Sequence, residues 1–341
     1  MKKLICLFLA LSGTLATVLP AAARDHKVRQ VVLTPTEMRY GDTVRTGIPF
    51  AKDPTVIRKG GWYYMYYSAM GYTPDRVPDQ LDSLQGQWNA AIARSKDLIH
   101  WKRAGDLDLR DSRGERIWGA IAPCVKRFDG KIHLFYQRYW EKAGNNNIWH
   151  AVSRDGITFT NTSDEPVFVM DAPWALNRSI DAEVYRVKDR LILLFATRDP
   201  EGKVQMLGMA HAPYRSDYGP DQWTLDSVDG PLLKPDFAWE GHCIEAPTVL
   251  KYKGVWYLFY AGAYNHERQQ IGLATSLDGI HFTRIAPEGL VFPAGEEGTW
   301  NHGESGHPGL FQDRDGKIYL FFQGKAEQKG NYRLSVCRVD F

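Results

Sequence analysis

An all-β fold, a five-bladed β-propeller of four-stranded antiparallel blades, is what this 341-residue sequence predicts. Three observations carry it. A short apolar strand, a turn and an aromatic strand recur as DPTVIRKGGWYYMYYSA from Asp53, APCVKRFDGKIHLFYQ from Ala122, DAEVYRVKDRLILLFA from Asp181, EAPTVLKYKGVWYLFYAG from Glu245 and HPGLFQDRDGKIYLFFQG from His307. Aligning the last aromatic of the second strand gives Tyr67, Tyr136, Phe195, Tyr260 and Phe322, which are 69, 59, 65 and 62 residues apart, the period of a propeller or array. No amphipathic helical period lies between the strands, which sets aside a two-domain α/β arrangement.

The first 23 residues have a Lys2-Lys3 start, an apolar run from Leu4 and a small-residue end at Ala21, Ala22 and Ala23. That pattern reads as a secretory signal peptide over residues 1–23. Ser12, Gly13 and Thr14 interrupt the run, which leaves it shorter than a membrane anchor needs. The expected mature chain is an exported protein, periplasmic or extracellular, with residues 24–341 forming one propeller domain. Without Lys2 and Lys3 it carries 40 basic residues against 40 acidic ones. A nucleic-acid footprint would need a basic excess on one face, and no second segment reaches spanning length. Neither nucleic acid nor, after cleavage, a membrane is an expected partner; the oligomeric state stays open. Cys124, Cys243 and Cys337 remain, an odd and scattered set without a disulfide framework or close metal-ligand spacing. A Cys124–Cys243 bridge stays open beside the reading of all three as small buried residues.

After its aromatic strand each repeat continues into a third strand and a turn. These read ARSKDLIHW (93–101), AVSRDGITF (151–159) and ATSLDGIHF (274–282), where Asp-Gly or Asp-Leu turns the chain and Trp or Phe starts the return strand. The third repeat departs, with the longer AHAPYRSDYGPDQW at 210–223. The fifth stops at CRVDF after its third strand, so the segment at 28–33 is expected to supply the missing fourth strand and close the ring.

In such a ring the first strand of each blade lines the channel, so residues at its start converge although they lie far apart in sequence. Asp53, Asp181 and Glu245 hold such positions. Taken singly, Asp53 before Pro54 reads equally as a turn, and Asp181 as a strand-start acid bonded to backbone. Glu245, between Ile244 and Ala246, is expensive to bury without a partner. Together they suit glycosidic bond cleavage, which needs an acid for the leaving oxygen and a base for water; a third carboxylate raises the acid's pKa by like-charge repulsion. Glu245 stands one position ahead of the place that Asp53 and Asp181 take in their own frames. That offset would set it on the other side of a bound sugar.

With its signal peptide, five-fold frame, DPTVI at Asp53, SID at Asp181, EAPTVLKYKGVWYLFYAG from Glu245 and S-x-D turns, the chain resembles glycoside hydrolase family 43 over nearly all its mature length. The resemblance implies an inverting hydrolase of arabinofuranosyl, xylosyl or galactofuranosyl linkages in polysaccharides or oligosaccharides. It implies Asp53 as general base, Asp181 as the residue that tunes the acid and orients substrate, and Glu245 as general acid. Base and acid are then expected roughly 6.5 to 9.5 Å apart. No cofactor is implied as a requirement. His307 is implied to approach the axis and, as in some members, to hold a structural calcium directly or through water, although calcium prefers oxygen ligands and Gly-His-Pro also reads as plain loop.

Trp118, Arg178, His242 and Glu304 lie just outside the starts of blades two to five and join His307 as candidate substrate-binding residues. Trp118 could stack on a sugar face, against packing in a chain with 11 Trp. Arg178 could bind hydroxyls or lower a neighbouring acid's pKa, against a surface salt bridge. The loops at 71–88 and 141–147 are expected to set substrate length if they stand on the channel face. Two other readings remain. The TRDP run at 197–200 suggests the retaining fructan-cleaving families 32 and 68, but it follows the second strand of blade three instead of opening a blade, and AKDPTV lacks their Asn-Asp-Pro-Asn-Gly run. A non-catalytic carbohydrate-binding propeller would not need all three acids. A scaffold of the WD type lacks its Trp-Asp signature.

Overall fold

The computed structural model describes residues 27–77, 88–138, 146–327 and 331–341. The expected signal peptide and most of the loops at 71–88 and 141–147 lie outside these residues.

Five sheets follow the five sequence repeats, antiparallel except for one parallel pairing at the outer edge of the second. After β1 (Val32–Pro35), blade one is β2 (Lys52–Lys59), β3 (Trp62–Ala69), β4 (Asn89–Ser95) and β5 (Lys102–Asp106). Then come β6 (Asp108–Arg110) and β7 (Arg116–Ile117), which extend the outer edge of blade two: β8 (Ala120–Phe128), β9 (Lys131–Arg138), β10 (Ile148–Ser153) and β11 (Thr158–Asn161). Blade three is β12 (Ile180–Val187), β13 (Arg190–Arg198), β14 (Gln205–Pro213) and β15 (Thr224–Leu225). Blade four is β16 (Ile244–Tyr252), β17 (Val255–Gly262), β18 (Gln270–Ser276) and β19 (Thr283–Arg284), with β20 (Leu290–Phe292) also on β18. Blade five is β21 (Glu304–Gln312), β22 (Ile318–Lys325) and β23 (Arg333–Asp340). Its fourth strand is β1, which pairs antiparallel with β23 from Val32↔Asp340 to Pro35↔Cys337. The pairing segment thus lies a few residues beyond the expected 28–33.

Local chemistry fixes the turns. Asp129-Gly130 and Lys253-Gly254 join first to second strands with positive φ at both residues, the geometry that matches strand twist in a two-residue hairpin. The S-x-D turns work by side-chain capture. Ser95, Ser153 and Ser276 each accept the N–H three residues on, from Leu98, Gly156 and Gly279, at 2.8 to 3.0 Å. Asp97, Asp155 and Asp278 accept the next two N–H groups.

Apolar seams between neighbouring blades hold the ring. Tyr66, Leu109, Leu134 and Trp149 join blades one and two; Phe135, Val184, Leu193 and Phe195 join two and three. Leu194, Leu207, Leu258 and Tyr260 join three and four, Tyr257, Phe259, Leu320 and Phe322 join four and five, and Met65, Tyr67, Phe321 and Val336 join five back to one. Full burial of side chains this size is worth roughly 1.5 to 3 kcal/mol each. Cys124, Cys243 and Cys337 are buried and free.

Candidate active site

Each blade carries the same irregularity at the start of its first strand. The register slips between Lys52 and Thr55, Ile121 and Cys124, Ile180 and Glu183, Glu245 and Thr248, and Gly306 and Gly309. Inside each bulge one residue has positive φ: Asp53 (54°), Ala122 (46°), Asp181 (53°), Ala246 (50°) and His307 (43°). The left-handed region is strained for side chains other than glycine, and a bulge redirects the side chain it carries. Pro follows four of the five, at Pro54, Pro123, Pro247 and Pro308, and Ala182 the other.

In three blades the strained N–H is held by a side chain on the second strand of the preceding blade. Gln323 Oε1 accepts from Asp53 N at 3.0 Å, Ser68 Oγ from Ala122 N at 2.8 Å, and Gln137 Oε1 from Asp181 N at 2.9 Å. The ring therefore closes through polar latches as well as apolar seams. Glu245 is built differently: it precedes the positive-φ residue, opposite Ala261 on β17, in the place that Lys52, Ile121, Ile180 and Gly306 take in the other blades.

These positions converge on His307, which is 5% exposed. Its Nδ1 lies 2.7 Å from Asp53 Oδ1 and its Nε2 2.9 Å from Glu245 Oε1. The Asp53 contact is a close ion pair with poor alignment for a hydrogen bond, since Oδ1 gains no well-directed donor from it; the Glu245 contact is a hydrogen bond. Glu245 Oε1 also accepts from Gln269 Nε2 at 2.8 Å and Asn265 Nδ2 at 3.2 Å, and Oε2 accepts from Gln205 Nε2. Asp181 Oδ2 is likewise buried and without a hydrogen-bond partner among the described residues. One atom each from Asp181, Glu245 and His307 lie within 4.8 Å of one another. A cavity of about 50 Å³ opens on the axis beside Asp53, Asp181 and His307 and reaches Cys124, Glu183 and Thr248 one layer deeper, room for a few waters at roughly 10 to 15 Å³ apiece.

Electrostatics separates the three acids. Burial favours the proton on all of them, but the His307 charge outweighs it at Asp53, with help from Lys52, and lowers that carboxyl to about 2. Glu245 is likewise held below its usual range by His307, Lys52 and Gln269 against burial. Asp181 moves the other way, to about 7, because burial combines with repulsion from Glu245 and Asp53 and outweighs the attraction of His307 and Arg178. His307 itself loses by burial and gains more from Glu245 and Asp53, which push it well above the ordinary histidine value. The raised carboxyl is thus Asp181, whereas the expected arrangement put the elevated pKa on Glu245.

The remaining expected residues fall in different surroundings. Glu304 is fully buried; it accepts from Gln323 Nε2 at 2.5 Å and sits 3.2 Å from Lys325 Nζ, so it reaches Asp53 only through Gln323. Trp118 is 3% exposed, edge-on to Tyr72 and flanked by the Arg45 and Arg116 guanidinium groups at 5.5 and 5.3 Å, the setting of a packing residue. His242 is exposed, and its backbone carbonyl accepts from Gln205 N. Arg178 is half-buried on the Asp181 and Glu245 side. Direct calcium ligation through His307 would require the ring to release a proton and one of its carboxylate contacts, since its nitrogens face Asp53 and Glu245.

Gln137, Gln205, Gln269, Gln323 and Asn265 are the functional positions that sequence reading passed over. Gln137 and Gln323 had a signal: each directly follows the aligned aromatic, Tyr136 or Phe322, as a polar residue ending a buried strand.

Comparison with known proteins follows the same geometry. The profile of Glycosyl hydrolases family 43 matches residues 44–339. A xylosidase/arabinosidase of Butyrivibrio fibrisolvens is 25% identical over 300 residues, covering 84% of this chain and 51% of that protein. A 1,2-beta-oligomannan phosphorylase of Thermoanaerobacter sp. (strain X514) is 23% identical over 227 residues, covering 62% of this chain and 64% of that one. The chain thus spans about half to two thirds of the length of these relatives. The crystal structure of a thermostable family-43 glycoside hydrolase superposes with a TM-score of 0.65 at 20% identity, over 89% of this chain and 93% of that one. With residues 44–339 matched by that profile and its five blades in place, the chain belongs to glycosyl hydrolase family 43.

Proposed function

We propose that the protein is an inverting hydrolase of arabinofuranosyl, xylosyl or galactofuranosyl linkages, with Asp53 as general base, Glu245 as general acid and Asp181 as the group that stores the acid's proton. The observation that carries this reading is the imidazole of His307 lodged between Asp53 and Glu245. Contacts to opposite nitrogens of one ring hold the two carboxylates apart, which favours the roughly 6.5 to 9.5 Å spacing that admits a water over the roughly 5 to 5.5 Å at which one of them attacks the sugar. Asp53, held ionised, suits proton abstraction from that water. Glu245 is saturated with donors, and the neighbouring carboxyl that keeps a proton near neutrality is Asp181. Substrate that displaces donors from Glu245 and dries the cleft moves that proton toward Glu245, from which it passes to the departing oxygen. The Butyrivibrio relative's name supports the pentose preference.

A second reading has an observation of its own: Asp181, the carboxyl with the raised pKa and the open oxygen, donates the proton itself. Hydrolysis of aryl arabinofuranosides, xylosides and galactofuranosides, followed by proton NMR of the first-formed anomer, tests the main proposal. Inverted configuration is expected; retained configuration would replace the water by a covalent nucleophile at Asp53.

A further inference from the structure

The TRDP run at 197–200 has no part in the acid cluster, yet it brings a second arginine to it. Ile180 on β12 lies opposite Ala196 on β13. Arg198 ends β13 and Arg178 stands two residues before β12, with Leu176 N bonded to Arg198 O at 2.8 Å and the two guanidinium charges close enough to repel. Like charges brought together at half-buried positions repel, so this juxtaposition calls for a reason. Neither arginine forms an ion pair with a carboxylate among the described residues. Arg178 Nε is buried without a hydrogen-bond partner. Arg198 spends only its Nε, on Gln205 Oε1 at 3.0 Å, and lies 5.4 Å from the Tyr264 ring. Gln205 in turn bonds Glu245, which places the pair on the Glu245 side of the cleft.

Charge accounting points the same way. Around the axis, the ionised Asp53 and Glu245 face Lys52, His307, Arg178 and Arg198, while Asp181 retains its proton up to about neutral pH. Glu304 and Lys325 offset one another, and Asp199, bonded to the N–H groups of Lys203 and Val204 in its own turn, offsets one positive charge more. The site therefore carries positive charge that its own acids leave uncompensated. A neutral sugar has no use for it.

We propose that Arg178 and Arg198 form an oxyanion-binding subsite beside Glu245, fitted to the carboxylate of a uronic acid in the departing part of the substrate or to inorganic phosphate. Planar guanidinium forks suit both groups, since each can take two parallel N–H bonds. The assignment to the departing side rests on Glu245 being the general acid; the anion site itself does not.

Calorimetric titration of the intact wild-type protein with D-galacturonate, inorganic phosphate and galactose tests the proposal without reading hydrolysis. At least one anion is expected to bind tenfold or more tighter than galactose, and the one that does identifies the source. The R178Q/R198Q variant is expected to lose that preference at least tenfold, with galactose unchanged. The R178K/R198K variant keeps the charge without the fork and is expected to lose part of it; this variant decides the matter should the glutamine pair fail to fold. Equal binding of all three ligands, or a preference untouched by the lysine pair, would overturn the subsite while leaving the hydrolase reading in place.

Discussion

Ala122 and Asp181 occupy one place in neighbouring blades. Both sit in a first-strand bulge with φ of 46° and 53°, and both give their N–H to a side chain of the preceding blade, Ser68 or Gln137. One carries a methyl group that lines the axial cavity, the other a buried carboxyl pushed to about 7. The strained backbone is thus a property of the ring, repeated whether or not chemistry uses it, and the chemistry is the choice of side chain that each blade presents there. Blades one, three and five present Asp53, Asp181 and His307. Blade four departs, since Ala246 takes the strained position and Glu245 enters from the residue before it.

The largest effect is expected where the side chain acts and the backbone can stay. Asp53→Asn keeps shape and latch but removes the proposed base, so kcat should fall by about 10³-fold, within the roughly 10²- to 10⁴-fold range of general-base catalysis, while the thermal transition drops because His307 loses an ionised partner. A loss below tenfold would move the base elsewhere.

Next comes pH. The proposed mechanism needs Asp53 ionised and a proton on the Asp181–Glu245 pair, so kcat/KM should hold from the acid range to neutrality and fall as pH rises through about 7. Stability follows with a definite sign. The folded state keeps a proton on Asp181 that the unfolded chain releases above the ordinary value of 3.8, so the wild type loses stability as pH rises from there to about 7, by on the order of 4 kcal/mol at most. Asp181→Asn removes that loss. Its melting temperature should exceed the wild type's at pH 8, with the margin shrinking by pH 4; a margin independent of pH would show Asp181 ionised in the fold.

Smaller effects sharpen the comparison with Ala122. Gln137→Ala leaves the Asp181 N–H without its acceptor, at a cost of about 1 to 3 kcal/mol, and should lower kcat several-fold as the carboxyl loses its fixed aim. Ala122→Gly relieves the same strain where no chemistry depends on it, so stability should change by less than about 1 kcal/mol and kcat not at all. Equal kinetic losses in the two variants would mean that the bulges matter to catalysis collectively and not blade by blade.

Much of this was legible in the residues. The aromatic alignment that begins at Tyr67 gives the register of every blade, because large buried side chains on the second strand must fall on the same seams. The convergence of Asp53, Asp181 and Glu245 followed from blade order, and the one-residue offset of Glu245 is what the bulge at Ala246 explains. Two things stayed hidden. Positive φ at Asp53 or His307 leaves no mark in composition, because neither is a glycine. The grip on Glu245 comes from Gln205, Gln269 and Asn265, which belong to other strands and loops; no local pattern ties them to it. For that reason the direction of the pKa shifts at Glu245 and Asp181 could not be read from their own motifs.

The measurement that bears most directly on the site is the leaving-group dependence of Glu245→Gln beside that of Asp181→Asn, using aryl glycosides with good and poor leaving groups. An aglycone that departs without protonation does not need the acid. If Glu245 donates the proton, its variant should lose activity by 10²-fold or more on a poor leaving group and recover most of it on a dinitrophenyl glycoside, while Asp181→Asn is impaired to a similar extent on both. Recovery in Asp181→Asn alone would contradict this and make Asp181 the acid.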